Sequence, residues 1–315
     1  MIRAYQLGDA AIEAAITNHA AAHLPGFVPL RPEDIEWESR NPRDFAPHLR
    51  FIAEHDGHPV GICQAHPCGR ISLPWCLPGY EGYASPLFQH TLHALYHSGV
   101  RRIFAACHAE WTDQHAYLEA FGLPKVRDMI NYLLPIRDVP TLVGSKANRP
   151  IRLLERSDLP EVERMLPQAL RLSGNALERY LFLNPMFPAE SLFALCARQG
   201  SLLGVGIFLQ DEQWPLPRQT DPNQAHFRLG SFGTEGIPST GVNGLFSCLI
   251  RTDRDAVPIG LDLIAQALER LDGEEDEAPQ ELAAQVPSDV PHLAQFYERY
   301  FQRQGHFPVF ERILS

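Results

Sequence analysis

LRFIAEHDGHPVGICQ, residues 49–64, and LFALCARQGSLLGVGIFLQ, residues 192–210, decide the reading of this chain. Each holds two runs dense in Phe, Ile, Leu and Val, separated by a glycine-bearing break, which is the pattern of a β-hairpin. Laid over each other they become one pattern. Gly57 and Gly200 lie 143 residues apart, as do Gly61 and Gly204, and the Asn41-Pro42 and Asn184-Pro185 pairs upstream keep the same offset. A constant offset through two strands and a turn marks an internal duplication.

The flanks extend the repeat. Ile2-Arg3 with Asp9 is answered by Ile151-Arg152 with Asp158. Each opening reads as a short strand followed by an amphipathic helix. The aspartate is expected to cap that helix by accepting its free N–H groups. In the second copy the helix spans about residues 158–172, with Val162, Met165, Leu166 and Leu170 on one face. After each hairpin come a central strand, a loop and a second helix. In the first copy this helix carries Leu87, Thr91, Leu92, Leu95 and Tyr96 inward and ends at Gly99. In the second, Leu261, Ile264, Leu268 and Leu271 face inward and Gly273 marks the end. A further strand follows, VRRIFAAC or ELAAQV, the latter with Leu282, Ala284 and Val286 alternating. A last helix and strand close each copy. The expected fold is α/β, a mixed sheet flanked by helices, made twice. Its domains are residues 1–143 and 149–315, joined through the polar stretch LVGSKANRP, residues 142–150.

Composition narrows the setting. The 315 residues are 45% hydrophobic and 21% charged, as in soluble globular proteins. No apolar run has the length of a membrane span, and the N-terminal text lacks the order of a signal peptide, so the expected location is cytoplasmic with no membrane partner. A formal net charge of −11 argues against nucleic acid and is compatible with an amine-bearing partner. The six cysteines form no CxxC pair and mostly sit in apolar runs, which reads as buried free thiols. His90, His93 and His97 share a helix face, but no Cys or carboxylate joins them there, so no metal is expected.

Two places per copy carry a likeness to a known family. The loop LPGYEGYASPLF, residues 77–88, offers Gly79, Gly82, Tyr83 and Ala84. Its counterpart LFSCLIRTDRDAVPIGLDLI, residues 245–264, offers Cys248, Leu249, Ile250, Arg251, Arg254 and Gly260, together with Asp253 and Asp255. The last helix of the second copy reads Phe296-Tyr297-Glu298-Arg299, with Gly305 and Phe307 beyond it. In this order of elements and motifs the chain resembles the GNAT acyl-CoA-dependent acetyltransferases, and its tandem layout is similar to that of family members such as mycothiol synthase.

The resemblance implies that acetyl-CoA is a co-substrate. Its pyrophosphate would lie on the backbone N–H groups of the loop after the central strand, where small residues and a helix dipole favour phosphate. Gly82, Tyr83 and Ala84 would hold it in the first copy. In the second copy the holders would be Cys248, Leu249, Ile250, Arg251, Arg254 and Gly260, although two aspartates there should repel it. The resemblance also implies that Tyr297 protonates the departing thiolate. In the first copy Leu118 falls at that position, with Tyr117 beside it, so that copy is expected to lack the acid. Glu235, in the glycine-rich stretch RLGSFGTEG, is a candidate base for the amine proton. The expected activity is acetyl transfer from acetyl-CoA to an amine of a small molecule or peptide. The alternatives are a degenerate module that binds CoA or a protein without turnover, and an inverted arrangement in which the first copy, with the better small-residue loop, holds CoA.

Overall fold

The structure, a computed structural model, describes residues 1–27, 29–39, 46–138, 149–165, 174–183, 189–210, 242–269 and 281–314. They form two compact units.

Unit 1 contains β1 (Ile2–Ala4), α1 (Ala10–Ala21), α2 (Pro32–Ser39), β2 (Arg50–His55), β3 (His58–Gln64), β4 (Trp75–Cys76), α3 (Ala84–His97), β5 (Arg102–Ala106) and α4 (Thr112–Ala120). Strands β1-β2-β3-β4 form an antiparallel sheet in that order. The β2–β3 turn places Asp56 and Gly57 at φ 50° and 80°. An Asp-Gly pair accepts these left-handed angles, and so the hairpin closes tightly there. Strand β5 pairs with none of these four strands. Its antiparallel partner is the end of β12 (Gln302–Ile313), from Val309 opposite Ala106 to Ile313 opposite Arg102. Glu311 of β12 takes a two-pronged hydrogen bond from Arg102 (2.7 and 2.6 Å), and Phe310 and Leu314 are buried in the core of this unit.

Unit 2 runs from Asp128, within β6 (Lys125–Pro135), through β7 (Ile151–Leu153), α5 (Leu159–Met165), α6 (Gly174–Phe182), β8 (Leu192–Cys196), β9 (Leu202–Gln210), β10 (Val242–Ile250), α7 (Ala256–Glu269), β11 (Glu281–Pro287) and α8 (Pro291–Tyr300). Its sheet order is β6-β11-β10-β9-β8-β7, with β10 and β11 parallel and the other pairs antiparallel. Alternation in ELAAQV suggested a strand with one buried face. In fact Leu282, Ala283, Ala284, Gln285 and Val286 are all buried, because β11 lies between β6 and β10. Gln285 there donates to Asn131 directly across the ladder (2.8 Å), which pairs two buried amides and helps fix the register.

The compact units and the two halves of the sequence therefore divide the chain differently. β6, last in the 1–143 half, completes the sheet of unit 2, and β12, last in the 149–315 half, completes unit 1.

The repeated text has repeated packing. Gly61 pairs with Cys76 and Gly204 with Ile250. A Cβ at Gly61 would meet Leu87 Cδ1 at 3.0 Å, and one at Gly204 would meet Ile259 Cγ2 at 2.9 Å. Each glycine lets the following helix lie close on its strand. Both openings also repeat, and Asp158 closes a capping box with Glu155 around the 3-10 turn Arg156–Asp158. Asp9 stands before α1, but its side chain makes no helix-capping bond. It is gripped by Arg3 (2.7 and 3.0 Å) and by the Gln6 N–H (2.7 Å). Asp158 is held likewise by Arg152 (2.7 Å to each oxygen) and the Glu155 N–H (2.9 Å). At Asp9 the two-pronged charged bond outcompetes a single neutral N–H of the first helical turn.

The Arg152 hydrogen bond, working against burial and aided by the Glu155 N–H, holds the Asp158 carboxyl below the usual carboxylate range. A depressed folded-state value means the stabilisation is complete above the unfolded value and is lost as pH falls through the folded one. Asp158→Asn should therefore flatten the acid-side fall in stability below about pH 4, read by urea unfolding across a pH series.

Buried side chains follow the expected faces in part. Leu87, Thr91 and Leu95 are buried in α3, but Tyr96 is exposed. Gly99 takes φ 85° just past that helix, as a C-cap requires. Val162 and Met165 are buried in α5, while Leu166, Leu170 and Gly273 lie outside the described residues. All six cysteines are free, and four are buried; Cys68 is exposed and Cys76 half-buried. No helix among the described residues is long and apolar enough to cross a membrane.

Candidate active site

In unit 1 the chain leaves β4 through Pro78 and Gly79, makes a 3-10 turn over Glu81–Tyr83 and enters α3. Gly79 has φ 86°, a conformation that L side chains resist. No side chain caps the first turn of α3, and a Cβ at Gly82 would meet nothing within 4 Å. The loop's N–H groups thus stand at an open helix N-terminus, where the dipole favours an anion. One loop N–H already holds an anion: Gly79 donates to Glu81 Oε1 (2.9 Å), and this bond, with that of Glu81's own N–H, keeps the exposed Glu81 carboxyl below its usual range. Beside the loop lies an open cavity of about 720 Å³, bordered by His55, Pro78, Gly79, Tyr80, Gly82 and Tyr83 among others. His55 Nδ1 and the Tyr83 hydroxyl are 3.0 Å apart there.

Strand β4 is the last in its sheet, and β5 pairs elsewhere. Leu77 donates to Val60 O (2.8 Å), so in the antiparallel pattern the N–H of Cys76 points away from β3, off the free side of β4. Tyr117 of α4 belongs to the same core. Its ring packs on Phe88 and Phe121, and its hydroxyl is enclosed without a hydrogen-bond partner. Burial, with the Cys63 and Cys76 thiols nearby, pushes its pKa above the ordinary phenol value. Leu118, which counting residues puts at the position of the second copy's Tyr297, is fully buried. Consecutive helical residues point about 100° apart, so Leu118 and Tyr117 meet different parts of this core.

Unit 2 has the same plan with different occupants. Strands β10 and β11 pair from Val242 to Leu245, and their pairing stops there. Cys248, Leu249 and Ile250 are buried strand residues. The Cys248 N–H donates to the Tyr297 hydroxyl (3.2 Å), with Cys248 Sγ at 3.4 Å. Tyr297 is 1% exposed, stacked on Tyr132 and in contact with Phe296 and Phe301. Burial first, and the Cys248 thiol second, push its pKa well above the usual phenol value. Burial also lifts the Cys248 thiol to about 12.

The phosphate loop expected in unit 2 is already neutralised. Arg251 is paired with Asp253 (2.9 Å) and lies 3.8 Å from Glu161, and Arg254 lies 3.9 Å from Asp253. Asp255 Oδ1 accepts the Val257 N–H (3.0 Å) at the start of α7, which places a carboxylate at this helix N-terminus. Gly260 serves packing: a Cβ there would meet the Phe296 ring at 2.5 Å. Gly260→Ala should destabilise the protein by about 1–3 kcal/mol in urea unfolding, despite alanine's better helix propensity.

Glu235 lies outside the described residues. Of the three histidines, His90 packs edge-on against Phe51 (4.5 Å), while His93 and His97 contact each other (4.1 Å). No group of three or more metal-ligating side chains occurs among the described residues.

No family model matches the sequence, and no curated protein matches it. Solved structures do. A GCN5-related N-acetyltransferase from Sphaerobacter thermophilus is similar over 99% of this chain and 95% of its own, at 14% identity and a TM-score of 0.63. The glucosamine N-acetyltransferase region of a fungal multi-domain β-N-acetylglucosaminidase covers 98% of this chain and 38% of its own, at 13% identity and a TM-score of 0.62. A tandem GNAT protein from the clavulanic acid biosynthesis pathway is similar over 100% of this chain and 99% of its own, at 13% identity and a TM-score of 0.55. With its repeated hairpins and the separated edges of β4 and β5, this chain has the fold of the GNAT N-acetyltransferases in its tandem form.

Proposed function

We propose that this protein is an acyl-CoA-dependent N-acyltransferase, acting with acetyl-CoA on an amine of a small molecule or peptide, and that unit 1 is its working site. The observation that carries this reading is the contrast between two helix N-termini. That of α3 has no side-chain cap and an open Gly82, whereas that of α7 is capped by Asp255.

In this reading Gly82, Tyr83 and Ala84 receive the pyrophosphate, and Glu81 gives up the Gly79 N–H to it. The amine nitrogen attacks the thioester carbonyl, and a C–N bond forms. The oxygen that gains charge is stabilised by the outward N–H of Cys76. As the C–S bond breaks, the sulfur takes the proton of the Tyr117 hydroxyl, which its raised pKa keeps protonated at neutral pH. The proton of the attacking amine leaves through water to solvent; Glu235, the candidate base read in the second copy, lies outside the described residues. The net charge of −11 suits a cationic acceptor.

The test is acetyl-CoA titration by calorimetry, on the wild-type chain and on Gly82→Asp and Gly260→Asp. One site per chain is expected. A carboxylate at Gly82 faces the phosphates directly and should weaken binding by about 10-fold or more. Gly260→Asp should alter stability rather than affinity. Absence of binding at millimolar ligand would sink the acyltransferase reading.

A further inference from the structure

Helix α3 clothes its outer face in histidine. Its sequence, ASPLFQHTLHALYH, contains no Asp, Glu, Lys or Arg, the residues that ordinarily cover a solvated helix face. Past its first turn the exposed positions are Gln89, His90, His93, Tyr96 and His97. The opposite face, Leu87, Phe88, Thr91 and Leu95, is buried and holds the helix against β2 and β3. The three histidines therefore neither fill the core nor carry the packing of the helix.

Two of them touch. His93 and His97 are four residues apart, a spacing that sets one side chain above the other on a helix. Their ring centroids are 4.1 Å apart, with the planes at 67°. Two imidazole nitrogens bound to one tetrahedral ion stand about 3.3 Å from each other, and rings already in contact reach that separation by small side-chain rotations. Two histidines at this spacing on one helix face form a recurrent metal-binding pair.

His90 stands apart from the pair, with its ring edge-on against Phe51 (4.5 Å). The nearest Arg or Lys along the chain, Arg101, is tied to the helix end. Its guanidinium lies over the Tyr96 ring (4.3 Å) and donates to the Tyr96 and Val100 carbonyls (2.9 and 3.3 Å). No Cys or carboxylate joins the histidines on this helix. The chain thus supplies two ligands and water the rest, which makes a weaker site than a closed four-ligand one.

We infer that His93 and His97 chelate a divalent transition-metal ion of the class that prefers imidazole, namely Cu2+, Ni2+ or Zn2+. The ion ties the last two turns of α3 together. It binds the helical arrangement and so stabilises the folded chain. The pair lies at the far end of α3 from Gly82, Tyr83 and Ala84 and takes no part in acyl transfer.

The probe is nickel chloride, titrated by calorimetry into the full chain without a histidine tag and without acetyl-CoA. One strong site per chain is expected. His93→Ala and His97→Ala should each weaken it by about 100-fold, because each removes the ligand that chelation adds as an intramolecular contact. His90→Ala should leave it unchanged. His97→Ala combined with Ser98→His keeps the number of histidines but breaks the four-residue spacing, and should weaken the site as much as His97→Ala alone. A wild-type chain with no strong site, equal losses in all three single variants, or a site that survives the displaced histidine would overturn the chelate. Both side chains are exposed, so the variants should fold as the wild type does. Thermal unfolding gives a second readout: saturating nickel should raise the Tm of the wild type and not that of His93→Ala, and an equal rise in both would overturn the site. Acetyl-CoA enters none of these measurements, so the acyltransferase reading stands or falls on its own titration.

Discussion

Glu13→Ala is expected to lower the stability of the protein by about 3–5 kcal/mol, the cost of breaking a buried ion pair. Glu13 of α1 and Arg50 of β2 are among the most enclosed charged residues described, with side chains 3% and 1% exposed and 3.3 Å between Nη1 and Oε2. The guanidinium also lies 5.8 Å from the centre of the Tyr5 ring. Burial of the phenol first, and the Glu13 carboxylate second, raise the Tyr5 pKa. The guanidinium is the fixed member, since it stays protonated at any working pH. Removing the carboxylate therefore takes a counter-charge from a buried guanidinium, whereas Glu13→Leu combined with Arg50→Met removes both and should recover most of the loss. Urea unfolding of the two single variants and the double variant checks this. A single variant within 1 kcal/mol of wild type would show that the charges are hydrated after all.

Tyr117→Phe should cut turnover by about 100-fold or more while leaving acetyl-CoA affinity unchanged, as expected when a general acid is removed without its ring. It should also leave the protein as stable as before or more so, because the hydroxyl it deletes is enclosed and has no partner. Tyr297→Phe should do the reverse. It deletes a hydroxyl bonded to the Cys248 N–H, so it should cost about 1 kcal/mol of stability and little turnover. Steady-state rates and unfolding curves for both variants separate the two tyrosines. Turnover lost with Tyr297→Phe and kept with Tyr117→Phe would return the acid to the second copy. The Tyr117 pKa is shifted upward. The rate should therefore show no fall from this group on the alkaline side until pH exceeds the ordinary phenol value of about 10.

The parts of this molecule that the sequence declares are local ones. The hairpins were legible because Asp56-Gly57 and Gly200 sit between apolar runs and take positive φ. The duplication was legible because Gly61 and Gly204 answer the same packing demand from the following helix. Asp9 and Asp158 were correctly placed at the openings, but their partners, Arg3 and Arg152, lie on the preceding strand, a pairing that a cap rule does not anticipate. The site was half legible. The small residues Gly82 and Ala84 signalled an open loop. Nothing in the text around Gly260 showed that Phe296 would claim its space. Least legible was the destination of the closing strands, since β6 and β12 read as ordinary ends of their own halves.

Those closing strands govern the order in which the protein can be made. Unit 1 gathers most of its residues early in synthesis, yet its core includes Phe310 and Leu314, and β5 finds its antiparallel partner only in residues 309–313. Until those residues have left the ribosome, unit 1 carries a bare strand edge and an unfilled core. By contrast the contribution of β6 to unit 2 is already waiting when β11 emerges. The first unit to be translated is thus the last to be finished. Its folding is tied to contacts some 200 residues apart in sequence, such as that of Arg102 with Glu311, and such long-range closure is slow and leaves the nascent edge open to mispairing.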